Sequence, residues 1–303
     1  MSSAAHSRDK TNLYDIVTAK IVAMVEEGIG TYKAPWHVPQ GLSALPVNAA
    51  THAEYRGINV LSLWIGAQEH GYPTPLWASY KQWQAIGGQV RKGERGSAVV
   101  FYKRVETEPN EAEDHDKDVR LSFFAKRSWV FNAAQVDGSN LPALPQTSSV
   151  QRIGEAEAFI RAVNATVHHG FAMARYRHST DTIEMPNLEW FLETEDGRAE
   201  EGYYAVLLHE LTHWTGATHR LNRSFGKRYG DDAYAFEELV AELGAAFLCA
   251  AFGISTEPRQ DHAGYVASWL KVLRGDSKAI FTAASKAQEA FEHLAYLATR
   301  NTA

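Results

Sequence analysis

One pentapeptide, His209-Glu210-Leu211-Thr212-His213, has residue types and spacing suited to metal chemistry. It lies inside the apolar run YYAVLLHELTHW, which is typical of a helix, and residues four apart lie on one face of a helix. His209 and His213 are therefore predicted to bind one metal ion. Glu210 is predicted to serve as the acid and base of a hydrolysis, because a metal lowers the pKa of water to about 7, within reach of a carboxylate. The competing interpretation is a helix with two histidines at the edge of the core.

The third ligand has two main candidates. The stretch HELTHWTGATH places His219 at the metzincin spacing H-E-x-x-H-x-x-G-x-x-H, but the methionine that should follow is absent. Glu238, in the helical stretch EELVAELGAAF, is the favoured ligand, because the apolar face of that helix can pack on the first. Glu242, Glu237 and His262 stay open as alternatives. Two histidines and one carboxylate suit Zn²⁺ best, with Mn²⁺, Co²⁺ or Fe as alternatives.

Helical and strand periodicities predict where these residues are positioned. The N-terminal part combines helices with a β-hairpin, and the C-terminal part is mostly helical with two short extended pieces, MARYR and DTIEMP. Predicted helices span 12–27, 58–70, 79–86, 154–167, 201–216, 232–251, 262–274 and 277–299. Predicted strands span 97–104 and 119–132, on either side of an acidic loop.

Length and composition predict two domains, and the mixture of predicted helices and strands indicates the α+β class. The chain has 303 residues, of which 45% are hydrophobic and 22% charged, so each half can bury a core. Residues 138–149, GSNLPALPQTSS, read as a linker. We therefore expect an N-terminal domain over 1–137, a linker over 138–150 and a C-terminal domain over 151–303.

Several classes of protein are disfavoured by composition. The chain has one cysteine, Cys249, which excludes a disulfide framework. Cys249 lies in the apolar run AAFLCAAF and is expected to be a buried thiol. The first fifteen residues lack the apolar core of a secretory signal. The longest uncharged stretch, 243–256, is shorter than the roughly 20 residues of a bilayer span. These features favour a cytoplasmic protein with no membrane partner.

The net charge of −6 is unevenly distributed. Residues 1–105 contain 11 Lys/Arg and 7 Asp/Glu, whereas 106–118 contain seven acids and one lysine. Basic residues interleaved with aromatic ones are compatible with single-stranded nucleic acid. Trp64 and Phe101 lie in apolar patterns and are expected in the core, whereas Trp129 stands beside basic residues. The candidates expected to be exposed and to contact DNA are Trp36, Arg56, Lys81, Arg91, Lys92 and Arg95.

Four stretches of the chain are typical of a known family. Two lie in the C-terminal part, EGYYAVLLHELTHWTGATHRLNR (201–223) and FEELVAELGAAFLCAAFGI (236–254). The other two are YRGINVLSLW (55–64) and WQAIGGQVRKGERGSAVVFYKR (83–104). On these stretches, and over about 12–300, the chain resembles the ArdC-type antirestriction proteins of conjugative plasmids, which are relatives of the TraC proteins associated with plasmid primases.

This resemblance implies an N-terminal domain that binds single-stranded DNA and a C-terminal zincin-like metallopeptidase domain. It implies a role in protecting incoming plasmid DNA from the recipient's restriction enzymes. By position, His209, His213 and Glu238 correspond to ligands and Glu210 to the catalytic residue. The protein substrate is unknown, and a component of the restriction system is one candidate. The candidate oxyanion donors are Tyr203, Tyr204, Tyr229 and Tyr234.

Two other functions stay open at this stage. The first is a DNA-binding protein whose zinc site is purely structural, in which Glu210 is dispensable. The second is a secreted general protease, which the missing signal and the basic-aromatic N-terminal part disfavour. Binding to single-stranded oligonucleotides separates this second alternative from the favoured function.

Overall fold

A computed structural model provides the fold and contains both helices and sheets. It describes residues 13–28, 34–37, 44–106, 121–138, 149–193, 198–226, 232–254 and 263–302. The expected α+β class with two parts is confirmed.

The N-terminal part consists of three helices and six strands in its described residues. They are α1 (Leu13–Glu27), β1 (Val47–Asn48), α2 (Ile58–His70), β2 (Leu76–Ala78), α3 (Tyr80–Ala85), β3 (Gln89–Val90), β4 (Ser97–Glu106), β5 (Leu121–Asn132) and β6 (Val136–Asp137). α1 forms because Val17, Ile21 and Val25 recur every four residues and are buried together. Ser79 begins α3 as its N-cap, accepting a hydrogen bond from the backbone N–H of Gln82.

β4 and β5 form the predicted antiparallel hairpin. They pair from Ser97 opposite Val130 to Glu106 opposite Leu121. β5 continues into a four-stranded sheet in the order β1-β2-β5-β4, and β3 pairs separately with β6. The loop of the hairpin, 107–120, lies outside the described residues, as do residues 139–148 of the predicted linker.

The C-terminal part is mostly helical. Its elements are α4 (Ser149–Val163), β7 (Val167–His169), β8 (Arg175–Arg177), β9 (Thr182–Met185), α5 (Ala199–Thr215), α6 (Asp232–Phe252), α7 (Ala263–Gly275) and α8 (Ala279–Thr302). The predicted helix over 154–167 is wrong at both ends. The observed helix α4 begins earlier, at Ser149, and ends at Val163. It ends there because Asn164 takes a positive φ of 60°, after which the chain enters β7. β9 is the central strand of a sheet in the order β7-β9-β8.

The two parts share one hydrophobic core. Its buried residues come from α1, α2 and β4 and from α6, α7 and α8. Trp64 of α2 packs against Phe247 of α6 with ring centroids 6.0 Å apart. The Thr18 hydroxyl donates a hydrogen bond to the Ser277 carbonyl at 2.6 Å. The N-terminal part therefore packs directly on the helices that carry the C-terminal core, and the domain bounds stay a prediction.

Two expectations from composition have a structural outcome. Cys249 is fully buried in α6, and burial raises the pKa of its thiol, so the interpretation as an inert core residue is confirmed. None of the described helices combines the length and the apolar character needed to cross a bilayer.

Candidate metal centre

α5 places His209 and His213 one helical turn apart. The helix forms around Leu207, Leu208 and Leu211, which are buried against the rest of the C-terminal core. The two imidazole rings lie 4.8 Å apart and are almost perpendicular, at 81°. Both rings are buried.

A close approach between α5 and α6 brings carboxylates to these rings. Gly244 of α6 faces Thr212 of α5, and a Cβ at position 244 would lie 2.5 Å from Thr212 Cγ2. Only glycine permits that contact. It sets the carboxylates of Glu237, Glu238 and Glu242, all on α6, against the histidine face of α5.

Glu238 faces both histidines. Its Oε2 lies 3.6 Å from His209 Nε2, and its Oε1 lies 3.5 Å from His213 Nε2. The three side chains offer donor atoms that all lie within 4.8 Å of one another. In the described ranges this is the one group of at least three such side chains. Two imidazole nitrogens and a carboxylate oxygen at this spacing fit a divalent cation of the zinc or manganese type.

A second carboxylate stands behind each ring. Glu242 Oε1 lies 3.0 Å from His209 Nδ1, and Glu237 Oε1 lies 3.1 Å from His213 Nδ1. Arg223 donates to both oxygens of Glu237, at 2.9 and 3.0 Å. With Nδ1 of each ring directed at a carboxylate, Nε2 of each ring is the nitrogen directed at Glu238.

The carboxylates shift the pKa values of the rings. Burial disfavours the imidazolium of His209, but its contacts with Glu238 and Glu242 outweigh burial and raise its pKa to about 9. Burial also opposes the charge on His213, and Glu238 and Glu237 raise the pKa of that ring to about 10. Burial alone would raise the pKa of Glu238, yet the two histidines hold it well below its usual range. Cation binding at neutral pH therefore competes with protons on the imidazoles.

The Glu210 carboxylate contacts the backbone of β8. Its Oε2 accepts a hydrogen bond from the backbone N–H of Tyr176 at 2.7 Å, and the side chain is buried. β8 lies at one edge of its sheet, so a backbone group of an edge strand orients the carboxylate.

A cavity of about 820 Å³ opens onto the cluster. His209, Glu210, His213 and Glu238 all line it. Its remaining wall includes Tyr176 and His178 at β8, Phe225 from the segment after α5, Tyr234 of α6 and Tyr265 of α7.

Tyr234 is the only one of the four tyrosines named as oxyanion donors that lines the cavity among the described residues. Its hydroxyl lies 3.1 Å from that of Tyr265. Burial first, and then the charge of Glu238, raise the pKa of Tyr234, which keeps the hydroxyl protonated. Tyr203 instead contacts His169 Nε2 at 2.8 Å, and Tyr229 lies outside the described residues.

His219 does not join the three clustered side chains. It is 64% exposed and lies 3.4 Å from Asp181. Glu237 and Glu242, the other described alternatives, contact the Nδ1 atoms behind the rings. His262 lies outside the described residues.

The candidate DNA contacts have mixed outcomes. The expected exposure of Trp36 is wrong: its side chain is 0% exposed within the shared core, so it has no free face for a base. Arg56 pairs with Glu292, and Arg91 pairs with Glu94 and Asp137. The other three candidates, Lys81, Lys92 and Arg95, are exposed.

Among the hairpin side chains that the structure describes, two aromatic residues are exposed. The expected burial of Phe101 is wrong, since it is 50% exposed, and Trp129 is 51% exposed. The Arg127 guanidinium lies 5.2 Å from the centre of the Trp129 ring.

Models of two protein families match the two parts of the chain. Residues 154–286 match a zincin-like metallopeptidase, and residues 11–131 match the N-terminal domain of the anti-restriction factor ArdC. The metal-free crystal structure of the antirestriction ArdC protein from the R388 plasmid has a TM-score of 0.77 and 36% identity. The Mn(II)-bound structure of that protein has a TM-score of 0.74 and 37% identity. Each comparison covers 95% of this chain and 98% of the ArdC chain.

Two sequence relatives differ in how much of their length is matched. Protein y4eC of Sinorhizobium fredii is 45% identical over 282 residues, covering 92% of this chain and 90% of y4eC. DNA primase TraC of Escherichia coli is 35% identical over 295 residues, covering 92% of this chain but 27% of TraC.

The fold and the arrangement on α5 and α6 therefore define a zincin-like protein with a candidate site for a divalent metal. Nearly the whole chain matches ArdC in both sequence and structure. The chain belongs to the ArdC-type antirestriction proteins.

Proposed function

We propose that this protein is a zinc-dependent peptidase that also binds single-stranded DNA and protects incoming plasmid DNA from restriction in a recipient cell. The observation that supports the peptidase activity is the approach of the His209, His213 and Glu238 donor atoms to within 4.8 Å. Glu210 lines the same cavity as these three residues, which is where a substrate would enter.

The chain's own residues have separate roles in peptide hydrolysis. His209, His213 and Glu238 hold Zn²⁺, which supplies Lewis acidity when bound. Glu210 takes a proton from the attacking water and passes it to the leaving amine, and the Tyr176 N–H holds the carboxylate in place. The Tyr234 hydroxyl donates a hydrogen bond to the oxygen that becomes negative as the carbonyl is attacked.

The E210Q variant tests whether hydrolysis is needed. Protection is measured by conjugating a plasmid that carries the gene into a restricting recipient and counting transconjugants. We expect E210Q to protect no better than a plasmid without the gene, while the purified variant still binds Zn²⁺. E200Q, at an exposed position on the same helix, is the matched control and should protect normally. Full protection by E210Q would favour the alternative of a structural metal.

The DNA-binding activity rests on the N-terminal part. Lys81, Lys92, Arg95, Arg56 and Arg91 are exposed there. They lie on the same part as the hairpin that carries exposed aromatic rings. A cationic surface that follows the backbone, together with rings on which bases stack, is how single strands are bound without sequence preference.

Oligonucleotide titrations test this activity. We expect fluorescent oligo-dT to bind more tightly than the corresponding duplex. We also expect its affinity to fall with added salt, since each neutralised phosphate contributes about −0.7 to the slope of log K against log salt. Equal affinity for single strand and duplex would contradict the proposal.

A further inference from the structure

A buried turn of the N-terminal part lies behind the candidate metal centre. In the turn 34–37, the His37 N–H donates to the Ala34 carbonyl at 2.9 Å, and the Ala34 N–H donates to His37 Nδ1 at 3.0 Å. The amide of Gln68 on α2 donates to the Pro35 carbonyl at 3.0 Å. Because Nδ1 of His37 accepts a hydrogen bond, the proton of the neutral ring is on Nε2.

The Nε2–H group of the neutral His37 ring is directed at Glu242. The distance from His37 Nε2 to Glu242 Oε2 is 3.8 Å, and both side chains are buried. The other oxygen of Glu242 lies 3.0 Å from Nδ1 of His209. The Glu242 carboxylate thus lies between an imidazole of the candidate metal centre and an imidazole of the N-terminal part. A separation of 3.8 Å is longer than a hydrogen bond, but attraction at that distance is strengthened by a buried, low-dielectric environment.

Trp36, the neighbour of His37 in the same turn, is connected to the wall of the cavity through a series of ring contacts. The ring of Trp36 meets that of Trp269 edge-on at 5.7 Å, and Trp269 stacks on Tyr265 at 6.1 Å. Tyr265 in turn stacks on Tyr234 at 6.0 Å, and both tyrosines line the cavity. Trp36 and Trp269 have almost no exposed surface, so neither ring can move without displacing its neighbours.

We propose that Trp36 and His37 are positioning residues of the metal centre. His37 orients Glu242 behind the ligand His209, and Trp36 fixes the wall that carries Tyr234. The N-terminal part therefore helps to determine the metal affinity of a site whose ligands all belong to the C-terminal part. This inference rests on the proposed metal ligands.

Calorimetric titration of the full-length, metal-free protein with Mn²⁺ tests the role of His37. The H37N variant keeps an acceptor for the Ala34 N–H but lacks a group that reaches Glu242. The H37Q variant places an amide near the position of Nε2. We expect about tenfold weaker Mn²⁺ binding by H37N, as for other residues behind metal ligands, and recovery of most of the affinity by H37Q. H70N alters an exposed histidine of α2 that contacts the Gly66 carbonyl and the Tyr72 ring; it is the control and should bind normally.

A double-mutant cycle with E242Q distinguishes positioning from general packing. If His37 acts through Glu242, adding H37N to E242Q causes no further loss of Mn²⁺ affinity. Additive losses, or affinity of folded H37N within twofold of wild type, would overturn the inference. If H37N does not fold, W36F decides: we expect at least a threefold loss, and unchanged affinity would reject the proposal. Failure of the wild-type protein to bind Mn²⁺ or Zn²⁺ would instead reject the proposed function.

Discussion

At the scale of residues, the two histidines of the metal centre differ in what lies behind each ring. Glu242 and then His37 lie behind His209, whereas Glu237 and Arg223 lie behind His213. Burial would raise the pKa of Glu237, but His213 and Arg223 lower it below its ordinary value. Carboxylates behind both rings direct the two Nε2 atoms at one point, which the spacing of the histidines alone does not achieve.

Trp129 is an exposed aromatic residue of the hairpin, on which we propose that a base stacks. Replacing it in W129A should weaken oligo-dT binding by at least fivefold, because stacking contributes about 1–3 kcal/mol per base. Fluorescence anisotropy at fixed salt measures the change. Y296A removes a comparably exposed ring from α8 and should have no effect. Unchanged affinity in W129A would exclude this ring as a stacking platform.

Sequence reasoning placed Trp36 outside and Phe101 inside, and both assignments are wrong. Trp36 belongs to the segment APWH, which has neither helical nor strand periodicity. The sequence therefore does not indicate whether the Trp36 side chain faces the core or the solvent. Phe101 shares a face of β4 with the buried Val99, but it lies two residues further toward the loop end of the hairpin. A strand residue is buried only where another element packs over it. The alternating pattern of the strand does not show how far along the strand that packing element reaches.

At the scale of elements, the close contact between α5 and α6 controls the site. A G244A variant should lose about 1–3 kcal/mol of stability, because its methyl group would overlap Thr212 and overpacking outweighs the gain in helix propensity. Urea denaturation measures this change, and Mn²⁺ affinity should fall with it. The T212A substitution removes the two atoms nearest to the added methyl group, Cγ2 and Oγ1 of Thr212. The double variant G244A/T212A should therefore regain part of the stability that G244A loses.

Gly154 is a matched control for this substitution. It lies in α4, where an added Cβ meets nothing within 4 Å. G154A should therefore stabilise the protein by about 0.5–1 kcal/mol through helix propensity alone. If both alanine variants were equally stable, the close approach of α5 and α6 would not be a packing constraint.

At the scale of the whole molecule, the shared core joins the two parts. A fragment comprising residues 151–303 would expose the apolar face of α6 and the residues of α7 and α8 that now pack on the N-terminal part. We expect this fragment to bind a hydrophobic dye and to unfold without a cooperative transition, as measured by circular dichroism on heating. A fragment that unfolds as sharply as the full chain would show that the predicted boundary separates independent folding units.

Local patterns were sufficient for most of the individual elements. Periodicity predicted the bounds of α2, α6 and the β4–β5 hairpin to within one or two residues where they are described. The Ser79 side chain caps the start of α3, and Gly71 ends α2 in a left-handed conformation that favours glycine. The spacing of His209 and His213 predicted that their rings share one face of a helix. These features depend on neighbours close in sequence, for which propensity and hydrogen bonding within one element are decisive.

Only the tertiary structure decided which carboxylates meet those rings and what stands behind them. The apolar face of the second helix favoured Glu238 among its carboxylates. Nothing in the sequence placed Glu242 and Glu237 behind the rings, or linked His37 or the Tyr176 N–H to the site. These contacts join residues separated by 24 to 205 positions in the chain. Their existence depends on how closely helices pack and which faces they present, a property of the assembled core and not of any single segment.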